Sequence, residues 1–132
     1  MEVNKVAFDT NAYSRLLHGD RYLQQILEGA SVIYLSVIVI AELWFGFKSG
    51  TKDRQNKKFL DEFLHSNAVE VVTVKTETAD IYAEVKAEMK IRGKPIPTND
   101  IWIAANCIEY GAKLVTYDKH FLEIPGLRVW ME

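Results

Sequence analysis

The chain is poor in the residues that punctuate or staple a fold, with three prolines, seven glycines and one cysteine in 132 residues. A single thiol, Cys107, excludes an internal disulfide, and its apolar neighbours mark it as a small core side chain rather than a nucleophile. No Pro- or Gly-rich linker, low-complexity tract or internal repeat divides the sequence, so one domain is expected over residues 1–132. Long apolar runs are also missing. The longest, Val32 to Phe47, is interrupted by Ser36 and Glu42 and falls short of the roughly 20 residues that span a bilayer. The opening M-E-V-N-K-V-A-F-D lacks a basic segment leading into an apolar one and reads as a strand, so a cytoplasmic protein without a membrane anchor is expected. Charge of one sign is scarce too: the formal net charge of -2 argues against indiscriminate coating of nucleic acid. The histidines, His18, His65 and His120, show no metal-ligand spacing, although His120 could approach a site from its turn.

What is present is an alternation of short apolar runs with amphipathic segments. Strands are predicted at Lys5 to Phe8, Val32 to Leu35, Val69 to Val74 and Leu114 to Tyr117, with a fifth at Leu127 to Trp130. Helices are predicted over Asn11 to Leu17, Asp20 to Glu28, Val37 to Lys48 with Ser36 as N-cap, Lys52 to His65, and Thr78 to Ile91. Pro95 and Pro97 force an extended linker. Thr98 or Asn99 then caps a helix that Gly111 ends. Strands alternating with helices imply an α/β fold: a mostly parallel central sheet of four to five strands with helices on both faces, joined by right-handed crossovers.

That topology gives the acidic residues a meaning. Ligands of such sheets sit beyond the carboxyl ends of the strands, where Asp9 and Asp118 directly follow two predicted strands. Asp100 opens the helix that feeds the second of these strands. Glu42 lies among Ile38, Ile40, Leu43, Trp44 and Phe45, where an unpartnered carboxylate is costly. Each acid has a plain structural reading as well: Asp9 as a helix cap, Asp100 as a complement to the helix dipole, Asp118 as a turn residue, Glu42 as a lysine partner. Those readings do not explain the convergence of four acids on one rim. Carboxylates that share a pocket repel unless a hard cation lies among them, and all-oxygen ligation suits Mg²⁺ or Mn²⁺.

The blocks V-A-F-D-T-N (Val6 to Asn11), V-I-A-E-L-W-F-G (Val39 to Gly46), P-T-N-D-I-W-I-A-A (Pro97 to Ala105) and L-V-T-Y-D-K-H-F (Leu114 to Phe121) together resemble the PIN-domain ribonucleases, specifically the VapC-type toxins of toxin–antitoxin pairs. The resemblance covers nearly the whole chain and implies a PIN-like three-layer sandwich. It implies that Asp9, Glu42, Asp100 and Asp118 form a catalytic metal site, with Thr10, Asn11 and Thr116 supporting it. It further implies Mg²⁺ or Mn²⁺ as cofactor, an RNA substrate cleaved by metal-activated water, a VapB-type antitoxin as partner, and a homodimer. In this scheme Asp9 and Asp100 are the principal ligands, Glu42 a ligand or water-orienting base, and Asp118 an outer or second-metal ligand. Thr116 orients a carboxylate.

Setting aside the four site acids leaves 14 acidic against 16 basic side chains, a balance that tolerates RNA. Lys48, Lys52, Arg54, Lys57 and Lys58 form one basic run, and Lys86, Lys90, Arg92 and Lys94 another; both suit phosphate contacts or plain solvation of helix faces. Trp44, Phe45 and Phe47 give the Glu42 helix more apolar surface than one core face requires, which suits a dimer or antitoxin interface. Two other readings compete. An aspartyl-nucleophile phosphatase wants an acid where Asn11 stands, and a receiver domain does not explain the helix-borne Glu42 and Asp100. A catalytically silent PIN-like RNA- or protein-binding module is the alternative from outside the enzymes.

Overall fold

A computed structural model describes residues 4–131; Met1 to Val3, the start of the predicted N-terminal strand segment, lie outside the described residues. The elements run β1 (Lys5–Phe8), α1 (Thr10–Leu17), α2 (Arg21–Gly29), β2 (Val32–Ser36), α3 (Val37–Lys48), α4 (Asp53–Leu64), β3 (Val69–Val72), α5 (Thr76–Ile91), α6 (Thr98–Tyr110), β4 (Lys113–Val115), a 3-10 turn (Lys119–Glu123) and β5 (Arg128–Trp130). The strands form one sheet in the order β3-β2-β1-β4-β5, and every pairing is parallel.

The central strands read as continuous apolar runs because both faces are covered: Val6, Ala7 and Phe8 in β1 and Ile33, Tyr34 and Leu35 in β2 are all buried. The edge strands carry the polar and exposed positions, Glu70 and Val71 in β3 and Arg128 in β5. From β1 the chain steps outward through β2 to β3, then returns across the sheet to β4 and β5. With crossovers of one hand, this reversal puts α1 to α4 on one face and α5 with α6 on the other. Tyr13 of α1 meets Phe63 of α4 edge-on at 5.3 Å within the first layer, and Tyr82 of α5 stacks on Trp102 of α6 at 3.9 Å within the second. The switch point therefore falls between β1 and β4, where the carboxyl ends of neighbouring strands diverge and open a crevice.

Several boundaries differ from the sequence expectation for local reasons. The third strand stops at Val72, and α5 begins at Thr76 rather than Thr78, because Thr78 Oγ1 accepts the Lys75 N–H at 3.0 Å and closes the first turn from inside it. The cap of α6 is Pro97, with no side-chain cap bond, instead of Thr98 or Asn99. Gly111 ends α6 with φ +66, the left-handed turn that lets the chain reverse into β4. Phe47, expected on a partner surface, is buried in the core, whereas Trp44 and Phe45 are 42% and 73% exposed. Cys107 is buried, and burial pushes its thiol up to about 12, in keeping with a core role. No helix among the described residues is long and apolar enough to cross a membrane.

Candidate metal centre

Asp9 is the first residue past β1, and both of its oxygens are engaged. Oδ1 accepts the Ala12 N–H at 2.8 Å as the N-cap of α1, and Oδ2 accepts the Thr116 hydroxyl. The direction of the second bond is set by the backbone: Asp118 N–H donates to Thr116 Oγ1 at 3.0 Å, so the threonine proton points at Asp9. Asp9 is 5% exposed. Burial pushes its pKa above the ordinary carboxylate value; the Thr116 and Ala12 hydrogen bonds pull it back, and the charges of Asp100 and Asp118 push it up again.

The other acids close around it. Glu42, half-buried on α3, accepts from Thr10 Oγ1 at 2.5 Å and from Asn99 Nδ2 at 3.4 Å. Asp100 lies in the first turn of α6 and faces His120 Nε2 at 2.7 Å. Its pKa is also raised, by burial first, against the opposing contact with His120 and with the help of Glu42 and Asp118. Asp118 caps the 3-10 turn through the His120 N–H at 3.2 Å, and its Oδ1 lies 3.0 Å from His120 Nδ1. Asp9, Thr10, Asn11, Glu42, Asp100, Ile103, Asp118 and Phe121 line a single cavity of about 190 Å³.

All four acids singled out in the sequence thus share one cavity with Thr10 and Asn11, and Thr116 stands behind Asp9. Two details are corrected. Thr116 is not inside a strand and Asp118 does not directly follow one, because β4 ends at Val115; Thr116 N–H still donates to Trp130 O at 3.3 Å, and beyond it the Thr116 hydroxyl accepts the Asp118 N–H in a turn. Asp9 is also the helix cap that the plain reading made it, and Asp118, read plainly as a turn residue, opens the 3-10 turn, so local roles and convergence hold together. His120 is the residue that spacing alone undervalued. The signal for it was D-K-H: an Asp whose side chain bonds the N–H two residues on holds that residue's side chain beside its own carboxylate.

Among the described residues no lysine or arginine forms an ion pair with any of the four acids; His120 is their sole ion-pair partner. Neutral donors fix Asp9 and Glu42 while leaving their charge uncompensated, and only His120 faces Asp100 and Asp118, which is the donor chemistry that an Mg²⁺- or Mn²⁺-sized cation satisfies. A groove of about 320 Å³ between Lys86, Lys90, Lys94 and Ile101 contains no acid and offers no such chemistry. Thr116→Val keeps the shape but removes the donor to a buried carboxylate. It is expected to cost about 2 kcal/mol at neutral pH and to weaken cation binding about tenfold. Chemical denaturation and calorimetric titration with Mn²⁺ check the two effects.

A parallel sheet whose switch point gathers four carboxylates around one small cavity defines an α/β protein with an acidic, cation-receptive centre. The PIN domain family model matches residues 6–127, and the chain belongs to that family, on its VapC ribonuclease branch. It is 35% identical to Ribonuclease VapC2 of Rickettsia felis over 124 residues, 90% of this chain and 91% of that protein. It is 29% identical to VapC ribonuclease Y4jK of Sinorhizobium fredii over 132 residues, 94% of each. Among solved structures, VapBC2 from Rickettsia felis bound to a DNA fragment from its promoter superposes with a TM-score of 0.82 at 32% identity, covering 96% of this chain and 98% of that one.

Proposed function

We propose that the chain acts as one PIN domain, in the cytoplasm, as a Mg²⁺- or Mn²⁺-dependent endoribonuclease, the toxin of a VapBC-type pair. The observation that carries this reading is the convergence of Asp9, Glu42, Asp100 and Asp118 on one cavity with no lysine or arginine paired to them among the described residues. Asp9 and Asp100 are the principal ligands, and Asp118, more exposed at 39%, is the outer one. A divalent cation held there supplies positive charge to the scissile phosphate and acidifies water. Glu42, oriented by Thr10 and Asn99, is placed to align the attacking water and take up its proton. Thr116 keeps Asp9 in its ligand orientation.

The RNA reaches the site along the basic side chains of α5 and the linker and of α3 and α4. Lys86, Lys90 and Lys94 rim the groove of about 320 Å³, and Lys57 lies over the Trp44 ring. Each phosphate contact made this way steepens the salt dependence of binding. The exposed Trp44, Phe45 and Phe59 form the apolar surface for the antitoxin and for a second copy of the chain.

The test is cleavage of RNA by the purified, antitoxin-free protein. Activity is expected to need Mg²⁺ or Mn²⁺, to stop with a chelator, and to leave 5′-phosphate ends, because water attacks phosphorus. A 2′,3′-cyclic phosphate would mean attack by the ribose hydroxyl and overturn the mechanism. RNA binding without cleavage at any cation concentration would select the silent binding module.

A further inference from the structure

The groove of about 320 Å³ has a character opposite to that of the acidic cavity. Gly93, at φ +67, turns the chain out of α5, and Pro95 and Pro97 hold the next residues extended, so α5 and the linker enclose a slot. Met89 and Ile101, both core side chains, line it together with Pro95 and the half-buried Ile96. Its charged side chains are all lysines. Lys94 Nζ bonds Glu123 at 2.8 Å and so ties the linker to the 3-10 turn. Lys86 Nζ lies 3.3 Å from the Tyr82 hydroxyl, which holds it at the lip of the slot. Among the described residues neither Lys86 nor Lys90 has an ion-pair partner. Groove and cavity meet in the first turn of α6, where Asp100 lines the cavity and Ile101, the next residue, lines the groove.

We propose that this groove takes one unpaired base of the RNA, with Lys86 and Lys90 on the phosphates that flank it, and so selects single-stranded RNA. The two parts of a nucleotide match the two parts of the slot. The face of a base packs on apolar side chains such as Met89, Ile96 and Ile101, and phosphates pair with uncompensated lysines. A base inside a duplex keeps both faces stacked and does not enter. No acid, amide or hydroxyl side chain lines the groove, so it reads that a base is unpaired and not which base it is. An acidic peptide also complements lysines, but the slot borders Asp100, where the proposed chemistry acts on a phosphate. One strand can therefore place a base in the groove and a neighbouring phosphate at the acids. The inference rests on the proposed RNA cleavage at the acidic cavity and adds a base subsite to it.

The test is binding of a single-stranded RNA of about eight nucleotides by fluorescence anisotropy in chelator, with each position in turn made abasic. In wild type one abasic position is expected to weaken binding about tenfold more than the others do. A 4-thiouridine at that position should photo-cross-link to the stretch from Lys86 to Ile101. Ile96→Trp fills the groove and should make intact and abasic RNA bind alike. Lys90→Gln should weaken both RNAs equally and flatten the salt slope by about 0.7. A flat abasic scan in wild type, or cross-links confined to other stretches, overturns the base subsite and leaves the lysines as plain phosphate contacts. A position effect that persists in a folded Ile96→Trp overturns it as well. An acidic Leu–Glu peptide that binds wild type but not Ile96→Trp, while RNA binds both alike, gives the groove to a protein partner instead. RNA that is cleaved with Mg²⁺ or Mn²⁺ but gives a flat scan removes the groove alone; RNA that shows the base effect yet stays intact keeps the groove and removes the proposed cleavage.

Discussion

Asp9→Asn is expected to lower cation-dependent RNA cleavage by about a thousandfold or more while leaving a folded protein. Asparagine has the shape of aspartate, and its amide oxygen can still accept the Ala12 N–H that caps α1. What it lacks is the charge that, in the proposed function, would hold a divalent cation beside the scissile phosphate. That electrostatic contribution amounts to several kcal/mol, and about 4 kcal/mol corresponds to three factors of ten in rate. Asp100→Asn should act in the same direction and also weakens the contact with His120. Growth arrest on overexpression without antitoxin should disappear in both variants, with unchanged circular dichroism to show that the fold persists. Full activity in both would remove the acidic cavity from the chemistry.

The parts of this centre that lie on long or strongly patterned elements were legible from the residues alone. Asp9 follows a short apolar run that reads as a buried strand in the alternating pattern of the chain, Glu42 interrupts an otherwise apolar helix, and Asp100 opens a helix behind two prolines; each has a position indicated by pattern and topology. The β4 end was harder to read, because a three-residue strand carries almost no periodicity, and its end is decided by a side-chain bond, Thr116 Oγ1 with the Asp118 N–H. His120 was undervalued for the same reason: its place depends on the turn geometry that follows. The aromatics of α3 were only partly separable. Trp44, Phe45 and Phe47 are alike in composition, and only the packing of α3 against the sheet sends Phe47 inward and leaves Phe45 in solvent.

Stability should invert with cation. In chelator at pH 7, Asp9→Asn is expected to melt at or above wild type; in millimolar Mg²⁺ or Mn²⁺ it should melt below. Asp9 and Asp100 both have pKa values raised in the folded protein, with burial the first cause for each. A carboxyl with a raised folded pKa holds its proton more tightly folded than unfolded. Its stabilising contribution is complete below the unfolded value of about 4 and is lost as pH rises through the folded value. Wild type without cation therefore enters neutral pH with a buried charge at Asp9 that no lysine or arginine among the described residues pairs with. Asparagine removes that charge and keeps the cap, a gain of about 1 kcal/mol, the size of an ordinary single substitution. The gain should be smaller for Asp100→Asn, because His120 already offsets that charge, and it should shrink for Asp9→Asn as pH falls toward 4. A cation that binds only the folded state stabilises by mass action, about 2.7 kcal/mol at one hundred times its dissociation constant. A variant that binds it a hundredfold more weakly keeps only about 0.4 kcal/mol of this, which is enough to reverse the order. Two pairs of thermal melts, with chelator and with cation, decide it. An Asp9→Asn protein that melts well below wild type in chelator, and a cation that shifts both equally, would leave Asp9 as the cap of α1 and nothing more.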